Sequence, residues 1–290
     1  MAVGVLTPLL RRRLALPVPA VTALSFQAPA ALALAAPRTR LRDAGIYGLQ
    51  MWAYYAHYDM PDDDPVRLLR RTKVNYPVAV DRVIGAGKAP TVRLQRALGR
   101  PGRIRPLDLT LSMVHWSWFF YPHAALVYVL VRHPERYPRS ACLTAATFDA
   151  GLLVYWALPT APPWYAAEIG RMEPVRRIMV EAGEQFWGPL WRSLYDGVEG
   201  NPFAAMPSLH FGSSVTAARL LSEVGRVPGT LGWSYALVLG FGLVYLGEHY
   251  VVDLLAGAAL SEGVRRSAPA IGPAVEAFGR QVQRLEPGVR

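Results

Sequence analysis

Two short stretches bring together residue types able to do chemistry: Met-Pro-Ser-Leu-His at 206–210 and Gly-Glu-His-Tyr-Val-Val-Asp at 247–253. His249 and Asp253 stand at i and i+4, so a helix would stack them on one face, a turn apart. A carboxylate in that place can take the Nδ1 proton of the ring, fix its tautomer and leave Nε2 as an outward lone pair. That is how a nucleophilic imidazole is built. His210, behind Pro207, Ser208 and Leu209 at the mouth of a helical segment, supplies a second ring that could hand a proton to a leaving oxygen and then take one from an acceptor. Taken singly, His210 reads as a helix cap and His249 with Asp253 as a buried polar pair. Together they point to covalent phosphoryl chemistry, with His249 attacking phosphorus, Asp253 stabilising the charged ring and His210 as acid and base.

The rest of the chain must hold these residues in an apolar setting. Of 290 residues 52% are hydrophobic and only 18% charged, which moves the expectation from a soluble domain toward a membrane protein. A single cysteine, Cys142, excludes an intrachain disulfide framework and a cysteine-based zinc site. The net charge is +10, yet the basic residues flank apolar segments instead of grouping in a binding motif, so the sequence predicts no nucleic-acid partner and favours contact with anionic lipid. Lys73 and Lys88 are the only lysines among 31 basic residues; with the high alanine content, this reads as a GC-rich bacterial genome.

Crossing a bilayer takes about 20 apolar residues. Residues 44–60, 109–132, 140–159, 210–224, 231–246 and 248–264 are candidate spans, and the expected fold is an all-α integral membrane protein of about six transmembrane helices with interfacial amphipathic helices. The six-helix catalytic domain runs over 43–267. It includes an interfacial segment at 61–106 and a long connection at 160–207, both on one membrane face. Because His210 opens one span and His249 opens another after a passage down and back, both rings are expected at that face. Residues 1–42 form a basic N-terminal segment readable as an extra membrane or interfacial helix or as a signal-like region, and 268–290 a basic tail punctuated by Pro and Gly. Arg132, Arg136, Arg139, Arg226, Arg265 and Arg266 mark the opposite face as cytoplasmic, so the active face is expected to be extracytoplasmic in a multi-pass cell-membrane protein.

With these residues in hand, the chain resembles a known family. Pro-Ser-Leu-His at 207–210 is similar to the second signature of the type 2 phosphatidic acid phosphatase superfamily, usually Pro-Ser-Gly-His. His249 with Asp253 is similar to the His-x-x-x-Asp end of its third. Ala-Pro-Pro-Trp-Tyr at 161–165, with the Met-Pro-Ser-Leu-His and His-Tyr-Val-Val-Asp forms, resembles the inositol phosphorylceramide synthase branch. The resemblance implies a six-helix membrane fold, a phosphohistidine intermediate, no metal and no cofactor. Two departures bear on substrate. The Ser-Arg that the third signature places ahead of its histidine is replaced by Gly242 and Leu243, and no lysine stands at the first signature's spacing before Arg105 and Pro106. Those cations serve a dianionic monoester, and a phosphodiester with one charge needs them less.

The expectation is a phosphotransferase that moves a headgroup, phosphoinositol by the resemblance, from a phospholipid donor to a lipid or glycan alcohol. A lipid phosphate or polyprenyl pyrophosphate phosphatase is the alternative within enzymes, and a non-catalytic lipid-binding scaffold the alternative outside them. Charge near phosphorus would come from Arg171 first among Arg171, Arg176 and Arg177, or from Arg82 and Lys88, each of which reads equally as a headgroup or solvent contact. Trp164 and Tyr165 would line the acceptor site or anchor the loop, and Ser208 would donate to a phosphate oxygen or cap its helix. His115 and His123 read as packed polar residues, and His57 and His133 as exposed ones near span ends. The oligomeric state is not legible.

Overall fold

The computed structural model describes residues 1–193, 195 and 200–285, and among these it is helical with no strand. Helices α1 (Ala2–Leu10), α2 (Val18–Ser25) and α3 (Gln27–Ala35) lead into α4 (Arg40–Asp59). The first long connection carries α5 (Pro65–Arg71), α6 (Asn75–Ile84) and α7 (Pro90–Leu98). After α8 (Pro106–Ser117), α9 (Tyr121–Arg132) and α10 (Tyr137–Ala157), the second connection carries α11 (Pro163–Glu168) and α12 (Ile178–Trp187). The chain ends in α13 (Leu209–Val224), α14 (Arg226–Leu246) and α15 (Val251–Leu285). Among the described residues three stretches are long and apolar enough to cross a membrane: Val18–Ala35, Pro134–Ala157 and Arg226–Leu246.

α13 is the central helix, packed by α9, α10, α14 and α15. Small residues allow this. At Gly212 an added Cβ would lie 2.8 Å from the carbonyl oxygen of Gly257, and at Gly257 one would lie 2.3 Å from that of Ser208, so α13 and α15 cross backbone to backbone. The hydroxyls of the seam are satisfied internally, as a low-dielectric interior demands. Ser213 donates to Leu209 O at 2.7 Å, while Thr216 bonds Thr147 of α10 at 3.1 Å and Ser261 of α15 at 2.7 Å.

A second junction joins the connections beneath the site. Thr160, fully buried, donates its N–H to Phe203 O and accepts at its carbonyl from Ala205 N. Lys73 N–H donates to Pro159 O and Ala161 N–H to Lys73 O. Three chain segments far apart in sequence are thereby fixed just upstream of Pro207, which follows a cis peptide bond. Asp81 of α6, fully buried, reaches across to accept from Val251 N at 3.1 Å and Val252 N at 3.0 Å. Two orphan donors in the first turn of α15 are thus capped from another element.

Three expectations are corrected. Residues 109–132 do not form one continuous span: the chain breaks at 118–120, where three successive 3₁₀-type bonds close the end of α8 before Pro122, which has no N–H to give, starts α9. The tail is not punctuated by its prolines, because α15 continues through Pro269 and Pro273 to Leu285; residues 286–290 lie outside the described residues. His57 is buried, not exposed, and its ring bonds Thr22 Oγ1 at 2.8 Å and Ala53 O at 2.7 Å. It is buried because α1 to α3 fold back on α4, where Arg11, 4% exposed, pairs with Asp59 and Asp63 and the Trp52 indole donates to Val5 O.

Replacing Gly257 by Val is expected to lower the stability of the detergent-solubilised protein by about 1–3 kcal/mol, read as a fall in its thermal midpoint, because the atoms in the way are backbone. Burial pushes the Asp81 carboxyl up to about 6 against the two N–H groups that pull it down. Its folded pKa exceeds the unfolded value, so the folded state holds the extra proton and this residue's contribution falls as pH rises from about 4 to about 6. The thermal midpoint of wild type minus that of Asp81→Asn should therefore fall across that window.

Candidate active site

Each ring is delivered by a helix start. Ser208 is the N-cap of α13, with its Oγ accepting from Phe211 N at 3.3 Å, and its own N–H donates to Asp253 O at 2.9 Å. His210 follows in the first turn. On the other side α14 ends at Gly247, whose left-handed φ of 89° turns the chain sharply. Glu248 and His249 then bond back to Leu243 O before α15 begins. Tyr155, fully enclosed, donates its hydroxyl to Pro207 O at 2.7 Å and accepts from Leu209 N at 3.3 Å, which holds the 207–209 strap from behind.

The resulting geometry is a line of three groups. Asp253 Oδ2 faces His249 Nδ1 at 3.3 Å and accepts from Tyr250 N at 2.9 Å, while His249 Nε2 faces His210 Nδ1 at 3.1 Å. With a proton on His249 Nδ1 held by the carboxylate, His249 Nε2 is the acceptor and His210 Nδ1 the donor of the contact between the rings. Asp253 is wholly buried and His249 is 4% exposed. The His210 ring is also packed by Trp118, with centroids 4.1 Å apart, and by His115, 4.8 Å apart.

Both histidines line a cavity of about 260 Å³, together with Trp164, Asn201 and Glu248. Its wider wall is aromatic, with Tyr54, Tyr58, Phe148 and Tyr155 contributed by α4 and α10. Such a cavity, polar beside the rings and apolar beyond them, suits an amphipathic ligand.

Of the remaining sequence candidates, Ser208 is buried and caps its helix, and Trp164 lines the cavity. Tyr165 packs instead on Phe203, centroids 4.8 Å apart. Arg171 is exposed; Arg82, 46% exposed, lies 3.7 Å from Glu173; Lys88 is half-buried; none of these three lines the cavity. The guanidinium next to the cavity wall belongs to Arg177, stacked 4.2 Å over Trp164 and 3.3 Å from Glu248. Arg176 is turned to Glu181 and to the Arg100 carbonyl. Sequence reasoning passed over Glu248 and Asn201. Both carried a signal: a charge inside an apolar run beside His249, and an amide opening the stretch that leads to His210.

Comparison with known proteins agrees with the motifs. The inositol phosphorylceramide synthase catalytic subunit of Schizosaccharomyces pombe is 33% identical over 119 residues, 38% of this chain and 28% of the relative. The phosphoinositol dihydroceramide synthase of Bacteroides thetaiotaomicron is 32% identical over 122 residues, 37% of each chain. The inositol phosphorylceramide synthase of Candida albicans is 33% identical over 121 residues, 38% of this chain and 25% of the relative. The alignments thus span well under half of these relatives' own length. No solved structure gives a significant match. The PAP2 superfamily profile matches residues 86–263, which contain both histidines, the aspartate, α13 and the start of α15, and the chain belongs to that superfamily.

Proposed function

We propose that the protein is a membrane-embedded phosphotransferase that moves a phosphoinositol headgroup from a phospholipid to a lipid or glycan alcohol through a phosphohistidine. The observation that carries this reading is the line from Asp253 through His249 to His210 at the wall of a cavity with an aromatic lining. His249 Nε2 forms the bond to phosphorus as the bond to the glyceride oxygen breaks, and His210 gives that oxygen its proton. In the second half the acceptor hydroxyl returns a proton to His210, its oxygen takes the phosphorus, and His249 leaves. Asp253 stabilises the cationic ring formed in between. No proton is gained or lost over the cycle. For phosphorus to reach Nε2, the 3.1 Å contact between the rings must open.

A diester donor is supported by the charge at the site. Gly242 packs against Leu111 and Leu243 is fully buried, so those positions offer no cation, and Arg177 is already set against Glu248. The names of the aligned relatives support the inositol headgroup. In this reading six segments cross the membrane, formed by α4, α8 with α9, α10, α13, α14 and the first half of α15. The cavity opens to the extracytoplasmic face.

The test is reconstitution with phosphatidylinositol labelled in its headgroup phosphate and an extract of envelope lipids as acceptors. Label should pass to a new phosphodiester, and His249→Ala should slow this by at least about a thousandfold; release of free inositol phosphate would mean a hydrolase, and no His249-dependent turnover would favour the scaffold. His210→Ala should slow an alcohol leaving group far more than p-nitrophenol, which departs without a proton, when burst release is compared for the two donors.

A further inference from the structure

Two side-chain nitrogen donors of cavity-lining residues have no partner among the described residues. Asn201 is 2% exposed; its Oδ1 accepts from Phe203 N at 3.0 Å, but its Nδ2 bonds nothing. The Trp164 indole Nε1 is likewise buried and unbonded. A buried donor left unmade costs about 1–3 kcal/mol, and two of them on residues lining one cavity beside a histidine pair favour a ligand that brings oxygens.

Glu248 decides which oxygens. It is 7% exposed, lines the same cavity and is set in place by Arg177, and a carboxylate has about four acceptor sites, so that pairing leaves it able to accept more. A phosphate oxygen only accepts and would be repelled by this carboxylate. A hydroxyl does both: it can donate to Glu248 and accept from Asn201 or Trp164. Two neutral donors and one carboxylate therefore fit a ring bearing several hydroxyls better than they fit an anion.

We propose that Asn201, Trp164 and Glu248 form a polyol subsite next to His210 and His249, selecting donors whose phosphate carries a hydroxyl-rich ring. The inference rests on the phosphotransferase reading for its purpose, but its test does not. Calorimetric titration of the purified wild-type protein with myo-inositol 1-phosphate and with inorganic phosphate should show the former binding more tightly. Glu248→Gln, Asn201→Asp and Trp164→Phe should each lower that preference about fivefold, the effect of one hydrogen bond. Asn201→Asp keeps the acceptor to Phe203 N but brings a charge into a buried place, so its thermal midpoint is measured alongside, and Trp164→Phe removes a donor without adding a charge. Equal binding of the two ligands by wild type, no binding of inositol 1-phosphate, or variants that weaken both ligands alike would overturn the subsite. If the preference is found while His249-dependent transfer is not, the subsite stands and the transferase reading falls.

Discussion

Everything at the site depends on how closely α13 and α15 approach. Gly212 and Gly257 let the two backbones touch, and the first turns of both helices, with Ser208 and Asp253 joined by a backbone hydrogen bond, follow from that crossing. His210 and His249 are 39 positions apart, and their contact needs the helix starts fixed to within a few tenths of an ångström. Side chains between the helices could not deliver this, since packing an extra methyl group would spread the axes and part the rings.

Around that crossing the polar demand is met by a few long-range devices. Asp81 supplies acceptors to α15 from α6, Tyr155 braces the strap before His210, and Thr160 knots three connections together. Each removes an unpaired backbone group from an apolar interior, and each also fixes a segment that carries a site residue. Stability and placement are here the same set of bonds.

The helical class, the meeting of His210, His249 and Asp253 and the cluster of motifs were legible because they rest on local spacing: i and i+4 for His249 and Asp253, and a cap residue two before His210. The break at 118–120 was not, since its aromatic residues suit a span and only the prolyl N–H it lacks gives it away. Nor was the choice among arginines. In 160–207 the chain doubles back, so sequence distance from the Pro-Pro turn favours Arg171, while packing gives the wall position to Arg177. Glu248 and Asn201 escaped because no spacing ties them to the histidines, and only burial in the cavity wall singles them out.

The hydrogen bond between the two imidazoles has a meaning beyond alignment. Under the proposed mechanism the His249 lone pair rests engaged with His210, and attack begins only when a ligand parts the rings. In that reading the contact acts as a size threshold on reactivity, admitting to His249 what is bulky enough to part the rings.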